Sequence, residues 1–297
     1  MNFSQPARLG IGLISAGKVG TVLAAALRAA GHGIVGVHAI SEQSQDRAQT
    51  LLPQVPLLGI PDILERSELV LLAVPDDALA PLVQGLAARG AWQQGQLVVH
   101  TSGGYGVNVL EPAVAGGAIG LALHPAMTFT GLSLDIARLR TACCAVTGPA
   151  PFLPIAQALA VELGAEPVVI AEGDRPLYQA ALEHAANHVV TVSAQSLGIL
   201  SRLGVQDPCR LLEPVVRSSL DQVLSSGEDL VTGPLLRGDF KTVLSHVQQL
   251  QAFAAEEDAE DLLLAYLELT KATARRAQRY GKLSEYELEE LLTILKI

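Results

Sequence analysis

The stretch that most constrains this fold is Leu9–Gly20, which reads LGIGLISAGKVG. An uncharged apolar run leads into small residues, and an alanine-rich helical pattern follows, so the stretch predicts a strand, a tight turn and a helix. Aligned with the pattern G-x-G-x-x-G, it has Ser15 at the first glycine position. A small residue can still make the turn, and the helix N-terminus would present N–H groups to a phosphate.

The same stretch predicts a dinucleotide site. Gly17 would let the backbone approach a pyrophosphate, and Gly20 would let the helix pack closely on the strand. A simple turn without a nucleotide would keep the same fold and lose only the ligand. The residues predicted to bind the cofactor here are Ser15, Ala16, Gly17, Lys18, Val19 and Gly20.

Strand and helix patterns alternate after this turn. Apolar runs that suit strands buried on both faces occur at 34–40, 68–74, 96–100, 119–123, 142–146 and 167–170, and we expect right-handed crossovers to join them. These patterns predict an α/β fold, with a doubly wound, mainly parallel sheet in a domain over 1–172. After Gly173 only helical patterns occur, which predicts a second, all-helical domain over 173–297.

Composition excludes several classes of protein. The net charge of −10 and the lack of a basic patch exclude a nucleic-acid partner. No run reaches the roughly 18 consecutive apolar residues of a membrane span, and the short polar stretch 1–7 has no signal-peptide pattern. We therefore expect a cytoplasmic protein that does not contact a membrane. Its three cysteines, Cys143, Cys144 and Cys209, are interpreted as buried thiols without a metal or redox role.

The ends of the predicted strands carry the polar residues that a ligand would meet. Ligands of open α/β sheets bind beyond the carboxyl ends of the strands, where the strand order reverses. A turn is the simplest interpretation of the Thr-Ser-Gly-Gly sequence, and hydrogen bonding to backbone is the simplest for the histidine. The candidates at these strand ends are Val74, Pro75, Asp76, Thr101, Ser102 and His124, with His100 a further proton-donor candidate.

The end of the second strand bears on the choice between NAD and NADP. NAD enzymes usually place a carboxylate there to bind the ribose 2′-hydroxyl, whereas this chain has Ser41. A hydroxyl tolerates a 2′-phosphate better, although the nearest arginine, Arg47, lies within the next predicted helix. The sequence therefore favours NADP, with NAD as the alternative cofactor.

The long helical pattern at 177–203 carries a second group of polar residues. Glu183 and Asn187 share one face, and His184 and His188 have the i, i+4 spacing of a helical zinc site. The glutamate precedes the first histidine and no third ligand is evident, so we expect no metal. In the later sequence TGPLLRGD, which begins at Thr232, Asp239 would cap a helix and Arg237 has no structural explanation. Ser284 followed by Glu287 predicts a capping box for the final helix.

Six segments in order resemble one family across nearly the whole chain: IGLISAGKVG, ELVLLAVPDDAL, VVHTSGG, LHPAMTF, RPLYQAALEHAANHVV and TGPLLRGD. They resemble Rossmann-like proteins with a C-terminal domain of unknown function 2520, which are related to the pyrroline-5-carboxylate, ketopantoate and 6-phosphogluconate dehydrogenase group. The resemblance implies an NAD(P)-binding domain followed by a helical domain of 6-phosphogluconate dehydrogenase type, usually dimeric.

Two positions depart from these relatives. Related enzymes often carry a Lys-x-x-x-Asn pair on the long helix, and here Asn187 matches the asparagine while Glu183 stands at the lysine position. The family also commonly has a histidine after the helix tyrosine, where this chain has Gln179 after Tyr178. Lysine acid–base chemistry is therefore absent from this helix.

These observations lead to a functional hypothesis. We expect an NADP(H)-dependent oxidoreductase that passes hydride between the nicotinamide and a small carbonyl or imine substrate bearing a carboxylate. His124 would be the proton donor, with Glu183 and, less directly, Ser102 and His100 as the other candidates. Asn187 would orient the substrate, and Arg237 would bind its carboxylate from the same or a partner subunit. A homodimer would form through the helical half. The alternative is a nucleotide-binding sensor or scaffold without turnover.

Overall fold

The computed structural model describes residues 8–227 and 233–296 of the chain. Within it the backbone forms two compact units, Met1–His184 and Ala185–Ile297, and the division falls inside one long helix. The polar stretch at 1–7 and Thr232 lie outside the described residues.

The first unit alternates strands and helices, as the sequence predicts. Its turn-forming stretch becomes a strand, a three-residue turn and a helix. The elements are β1 (Gly10–Ile14), α1 (Lys18–Ala29), β2 (Gly33–His38), α2 (Glu42–Leu51), α3 (Ile60–Arg66), β3 (Leu69–Leu72), α4 (Asp76–Ala87), β4 (Leu97–His100), α5 (Glu111–Ala115), β5 (Ile119–Pro125), α6 (Leu134–Arg138), β6 (Cys143–Thr147), α7 (Leu153–Glu162), β7 (Glu166–Val169) and the start of α8 (Arg175–Arg202).

The strands form one seven-stranded sheet in the order β2-β1-β3-β4-β5-β6-β7. Side chains from the two faces of this sheet enter two separate apolar clusters: Ile11 and Leu13 belong to one, Ile14 and Val70 to the other. Helices therefore cover both faces, which confirms the predicted doubly wound α/β domain. The strand order reverses at β1, so the carboxyl ends of β1 and β3 flank the crevice where ligands of this fold bind.

Two strands, β6 and β7, run against the expected direction. β6 is antiparallel to β5, with Ala145 opposite His124, so the expectation of right-handed crossovers throughout is wrong at this step. The connection 126–142 holds only the five-residue α6 and a short 3₁₀ turn, and it returns from the edge of the sheet where β5 ends. The buried carboxylate of Asp135 shapes this return by accepting bonds from the backbone N–H groups of Thr130 and Gly131. The sheet remains mainly parallel.

The second unit is helical in the residues described. It contains the rest of α8 together with α9 (Pro208–Ser226), α10 (Phe240–Glu257), α11 (Glu260–Arg279) and α12 (Glu285–Ile294), and its core includes Phe240, Val247, Leu267 and Leu291. Ser284 and Glu287 form the capping box of α12, and the side chain of Asp239 caps α10, as predicted. The fold class, a Rossmann domain followed by an all-helical part, is therefore confirmed.

The cysteines differ from the expectation of three buried thiols. Cys144 is buried, whereas Cys143 and Cys209 are exposed, and all three are free. Adjacent residues of a strand point to opposite faces, so Cys143 and Cys144 cannot share one environment. Among the described residues no helix is long and apolar enough to cross a membrane.

Candidate functional site

The turn between β1 and α1 has the geometry of a phosphate-binding turn. Ser15 has φ of 78°, in the left-handed region that favours glycine, and the N–H groups of Ser15 and Ala16 both donate to the carbonyl of His38 at 3.2 Å. The missing first glycine is therefore replaced by a serine in the conformation that a glycine would adopt.

The two remaining glycines of this turn differ in what requires them. A Cβ on Gly20 would lie 2.6 Å from both the Cβ of Ala73 and the carbonyl oxygen of Ser15, so packing of helix on strand excludes a side chain. A Cβ on Gly17 would meet nothing nearer than 3.9 Å, and its φ of −69° is open to any residue. The fold explains Gly20 and leaves Gly17 unexplained.

Gly17 also begins α1 in a way that leaves the helix end open. It is the N-cap residue but has no side chain to accept a bond, and the first turn of α1 contains no acidic residue. The N–H groups at this end, with the positive end of the helix dipole, therefore face outward without a side-chain acceptor from the cap.

Two cavities meet at this turn. One, of about 500 Å³, is lined by Ala16, Ser41 and Arg47, and the other, of about 430 Å³, by Lys18, Val19, Asp76, Thr101, Ser102, His124 and Gln179. Ser15, Gly17, Val74 and Pro75 line both. Eleven of the twelve predicted cofactor residues therefore line these two cavities, and Ser41 lines only the first of them. Gly20 is the exception, because it packs against Ala73 and Ser15.

The first cavity contains the guanidinium of Arg47, which is not among the residues predicted to bind the cofactor. Ser41 caps α2 by accepting from the N–H of Ser44, and Arg47 follows Ser44 by one turn on the same face. Nη1 of Arg47 donates to the carbonyl of Ala16 at 2.9 Å, which brings it back to the fingerprint turn. The i, i+3 spacing of Ser44 and Arg47 is the sequence feature that indicates that both side chains share one face of the helix.

The loop after β4 is fixed from within and from its far end. The buried ring of His100 receives the N–H of Ser102 at Nδ1 and bonds the carbonyl of Gly106 through Nε2. The carboxylate of Glu172 accepts from the N–H groups of Val107 and Asn108 at 2.6 and 3.0 Å. Burial lowers the pKa of His100 to about 4. Both nitrogens of His100 thus serve the loop, which takes it out of the candidates for proton donation.

His124 lies at the end of β5 and faces the second cavity. Its Nδ1 is 2.8 Å from the hydroxyl oxygen of Tyr178, and the two rings meet edge to face at 85°. Burial first, and then the charge of Arg175, lowers the pKa of His124 to about 4, while Asp76 acts in the opposite direction. The ring is therefore neutral at pH 7.

Arg175, at the start of α8, is buried beneath this pair. Its guanidinium donates to the hydroxyl of Thr147 at 2.8 Å and to the carbonyls of Ala145 and Ser102 at 3.2 and 3.4 Å. It also lies 5.9 Å from the centre of the Tyr178 ring. Within residues 8–227 and 233–296, no carboxylate comes within 4.0 Å of this guanidinium.

Gln179 completes the wall of the second cavity. Its Nε2 donates to Glu183 at 3.0 Å, and its buried Oε1 has no hydrogen-bond partner in the structure. Because a carboxylate only accepts hydrogen bonds, the bond to Glu183 fixes which end of the amide points inward. A Cβ on Gly103 would collide with Oε1 of Gln179 and lie 3.0 Å from Nε2 of His124, so both side chains occupy the space that this glycine leaves.

The other predicted catalytic residues are more exposed. Glu183 has an exposed side chain at the end of the first unit. Asn187 and Arg237 belong to the second unit, the first on α8 and the second in a short 3₁₀ turn, both exposed. In the described part of the chain, no cluster of three or more His, Cys, Asp or Glu side chains could hold a metal ion.

This turn, sheet and crevice define the first unit as a Rossmann-like domain, and the model of that domain family matches residues 2–125. The model of a domain of unknown function, DUF2520, matches residues 142–273. The two parts of the chain therefore match a Rossmann-like domain and a DUF2520 domain, in agreement with the resemblance that its motifs carry. No curated protein matches the chain significantly.

Solved structures share this fold at low sequence identity. The provisionally assigned NADP oxidoreductase BF3122 from Bacteroides fragilis is 21% identical with a TM-score of 0.75, over 90% of this chain and 98% of that one. A reductive aminase from Aspergillus terreus, in complex with NADPH and ethyl levulinate, is 18% identical with a TM-score of 0.66, over 98% and 100%. An imine reductase from Myxococcus stipitatus, in complex with NADP⁺, is 18% identical with a TM-score of 0.64, over 95% and 99%.

Proposed function

We propose that the chain is an NADP(H)-dependent oxidoreductase. The observation that carries the proposal is the position of Gly17 between two cavities of about 500 and 430 Å³. Nothing in the fold requires a glycine at this position. A dinucleotide bound there would place its pyrophosphate against Gly17 and the open end of α1, with its two halves in the two cavities. The domain over 1–172 would bind the cofactor, and that over 173–297 would serve substrate binding and dimerisation.

The first cavity supports NADP in preference to NAD. It is lined by the hydroxyls of Ser41 and Ser44 and by the guanidinium of Arg47, and none of the described residues lining it is acidic. A guanidinium binds a 2′-phosphate by charge-assisted bonds, whereas a free ribose 2′-hydroxyl is usually held by a carboxylate. NAD stays possible in this proposal, and a variant of the Myxococcus imine reductase was solved with NAD⁺.

The second cavity supports proton transfer. When bound, the nicotinamide would supply or take the hydride, and the group that gains hydride needs a proton from the protein. His124 is the side chain that faces this cavity with a ring nitrogen, Nε2, next to the gap at Gly103. We assign to His124 the role of proton donor to a small carbonyl or imine substrate. We assign to Glu183 the role of orienting Gln179, the neighbour of that proton donor.

Arg237 and Asn187 complete the proposal on chemical grounds. A guanidinium is the usual partner of a carboxylate, and Arg237 has an exposed side chain, so we assign the carboxylate of the substrate to it. The amide of Asn187 would orient the substrate. Arg237 would act from the same or a partner subunit.

We also propose a homodimer formed through the helical half. Apart from Arg175, no described residue of α8 is buried, and no residue of α9 is. Large apolar side chains on these two helices are exposed, including Val190, Val215 and Leu224 at 67%, 58% and 85%. A second copy would bury such a surface. Three free thiols suit a reducing compartment, so we place the protein in the cytoplasm.

The test is a titration followed by a substrate screen. Calorimetry with NADPH and NADH measures cofactor binding, and loss of nicotinamide absorbance in the presence of 2-oxo acids and cyclic imines measures turnover. The proposal expects binding and turnover of at least one of these classes. Binding without turnover of any of them would favour the sensor or scaffold, and no binding of either dinucleotide would reject the site.

A further inference from the structure

The hydroxyl of Tyr178 is the group that His124 contacts on the side away from the crevice. The distance from that hydroxyl oxygen to Nδ1 is 2.8 Å, and the ring faces meet edge to face. Nε2, at the opposite corner of the imidazole, lies beside the gap at Gly103 on the cavity wall. The imidazole therefore connects a phenol hydroxyl inside the protein with the place where a substrate would react.

The direction of this hydrogen bond follows from the surrounding charges. At pH 7 the imidazole is neutral and carries one hydrogen, because burial lowers the pKa of His124 to about 4. Burial raises the pKa of the Tyr178 hydroxyl, so it keeps its hydrogen. The guanidinium of Arg175, 5.9 Å from the tyrosine ring, favours negative charge on the phenol oxygen. These charges favour a bond in which Tyr178 donates to Nδ1 and the imidazole hydrogen sits on Nε2.

We propose that Tyr178 is the proton source for the reaction and acts through His124. The inference rests on the proposed reductase function and adds a second residue to its proton path. In the reductive direction a bound nicotinamide would supply the hydride, and the substrate nitrogen or oxygen would take the Nε2 proton of His124. The Tyr178 O–H bond breaks and an N–H bond forms at Nδ1, which leaves a neutral imidazole and a tyrosinate. The Nδ1 proton then returns to the tyrosinate while solvent protonates Nε2, which restores the starting state.

The buried guanidinium of Arg175 explains how a tyrosinate could form there. A buried cation without a counter-ion is costly, and this one is held by a hydroxyl and backbone carbonyls alone among the described residues. A tyrosinate at Tyr178 would place a negative charge next to this cation, which Glu172 also stabilises from a greater distance. The other ionisable groups facing the pair are Asp76, which favours charge on His124, the thiols of Cys143 and Cys144, which face Tyr178, and the ring of His100, which is occupied by the loop.

The first experiment locates the imidazole hydrogen without any turnover. Nitrogen NMR of ¹⁵N-histidine-labelled protein at pH 7 should show His124 as the neutral Nε2–H tautomer, assigned by its loss in His124→Gln. In Tyr178→Phe the signal should shift toward a mixture of tautomers. A wild-type signal from the Nδ1–H tautomer would overturn the proposal, because His124 would then donate to Tyr178 and have no hydrogen for the substrate.

The second experiment measures the chemistry. With NADPH and a cyclic imine, 2-methyl-1-pyrroline, Tyr178→Phe should lower kcat at least tenfold and leave the NADPH dissociation constant within about twofold. The matched control is Tyr286→Phe, whose ring is exposed on α12, and it should behave as the wild type. In the wild type a proton inventory in mixed H₂O and D₂O should need two protons in motion, and in Tyr178→Phe one. Wild-type kcat in Tyr178→Phe, or a one-proton inventory in the wild type, would overturn the proposal.

The two experiments separate this inference from the proposed function. A wild type that binds NADPH and reduces no probe rejects the reductase function, and the tautomer still decides whether the relay exists. An active wild type with the Nδ1–H tautomer rejects the relay and leaves the reductase function standing.

Discussion

Alanine at Gly17 and at Gly20 should have opposite effects, although the two glycines are three residues apart in one turn. At Gly17 the added methyl has no neighbour within 3.9 Å and the backbone φ of −69° suits alanine, so the free energy of unfolding should be unchanged or rise by a few tenths of a kcal/mol. At Gly20 the methyl would lie 2.6 Å from the Cβ of Ala73 and from the backbone oxygen of Ser15.

The magnitude at Gly20 follows from which atoms are in the way. Neither the Ala73 Cβ nor the Ser15 carbonyl can rotate aside, so α1 must shift away from β1, at an overpacking cost of about 1–3 kcal/mol. Alanine recovers up to about 1 kcal/mol of helix propensity. We therefore expect Gly20→Ala to lower the free energy of unfolding by about 1–2 kcal/mol.

Cofactor affinity should fall when Gly17 is replaced by alanine or valine. A methyl at Gly17 fills the space between the two cavities where the backbone must approach the pyrophosphate, and Gly17→Val adds two further methyl groups. The NADPH dissociation constant should rise at least tenfold in either variant, or about 1.4 kcal/mol. Urea unfolding measures the stability of the apoprotein, and calorimetry measures the affinity. Wild-type NADPH affinity in Gly17→Val would refute the placement of the pyrophosphate, and wild-type stability in Gly20→Ala would refute the packing argument.

Four further outcomes follow from the site. Ser15→Gly should stabilise the apoprotein by about 0.5–1 kcal/mol, because glycine relieves the left-handed backbone strain and its greater freedom in the unfolded chain offsets only part of that gain. A lower free energy of unfolding in urea would contradict this. Arg47→Gln should weaken NADPH binding about tenfold and leave NADH binding unchanged, and equal weakening of both would exclude a 2′-phosphate contact. His124→Gln should lower turnover about 100-fold with little change in Tm or NADPH affinity, whereas a lower Tm with normal turnover would show a structural role. The pKa values of His100 and His124 both fall from 6.5 to about 4 in the fold, so the stability that their neutral rings contribute is complete above pH 6.5 and lost as the pH falls toward 4; each should contribute a loss of about 2 kcal/mol to the free energy of urea unfolding between pH 7.5 and 5, and a flat profile would contradict it.

The local patterns of the sequence were enough to predict the fold and one end of the site. The fingerprint turn, the strand ends and the caps at Ser284 and Asp239 depend on neighbouring residues, and their positions agree with the structure. The direction of β6 depends on how the connection 126–142 folds back around the buried Asp135, and no short pattern encodes that return.

The interior of the site was harder to predict because it depends on contacts between distant segments. Arg175 reads as an ordinary first-turn residue of a long helix, yet it is buried against carbonyls of β5 and β6. Tyr178 and Gln179 were noted only as departures from relatives, since their partners His124 and Gly103 lie more than fifty residues earlier. The low pKa of His124 depends on the same long-range burial.

The hydrogen bonds between Glu172 and the loop after β4 have a consequence for the thermodynamics of binding. With its carboxylate on Val107 and Asn108, and with His100 holding Ser102 and Gly106, the loop is already ordered in the free protein. Ordering a mobile loop costs entropy that reduces affinity, and a loop fixed beforehand avoids that cost. The wall of the crevice formed by Thr101 and Ser102 should therefore meet its ligand as a preformed surface, with little change in amide hydrogen exchange across this loop when the ligand binds.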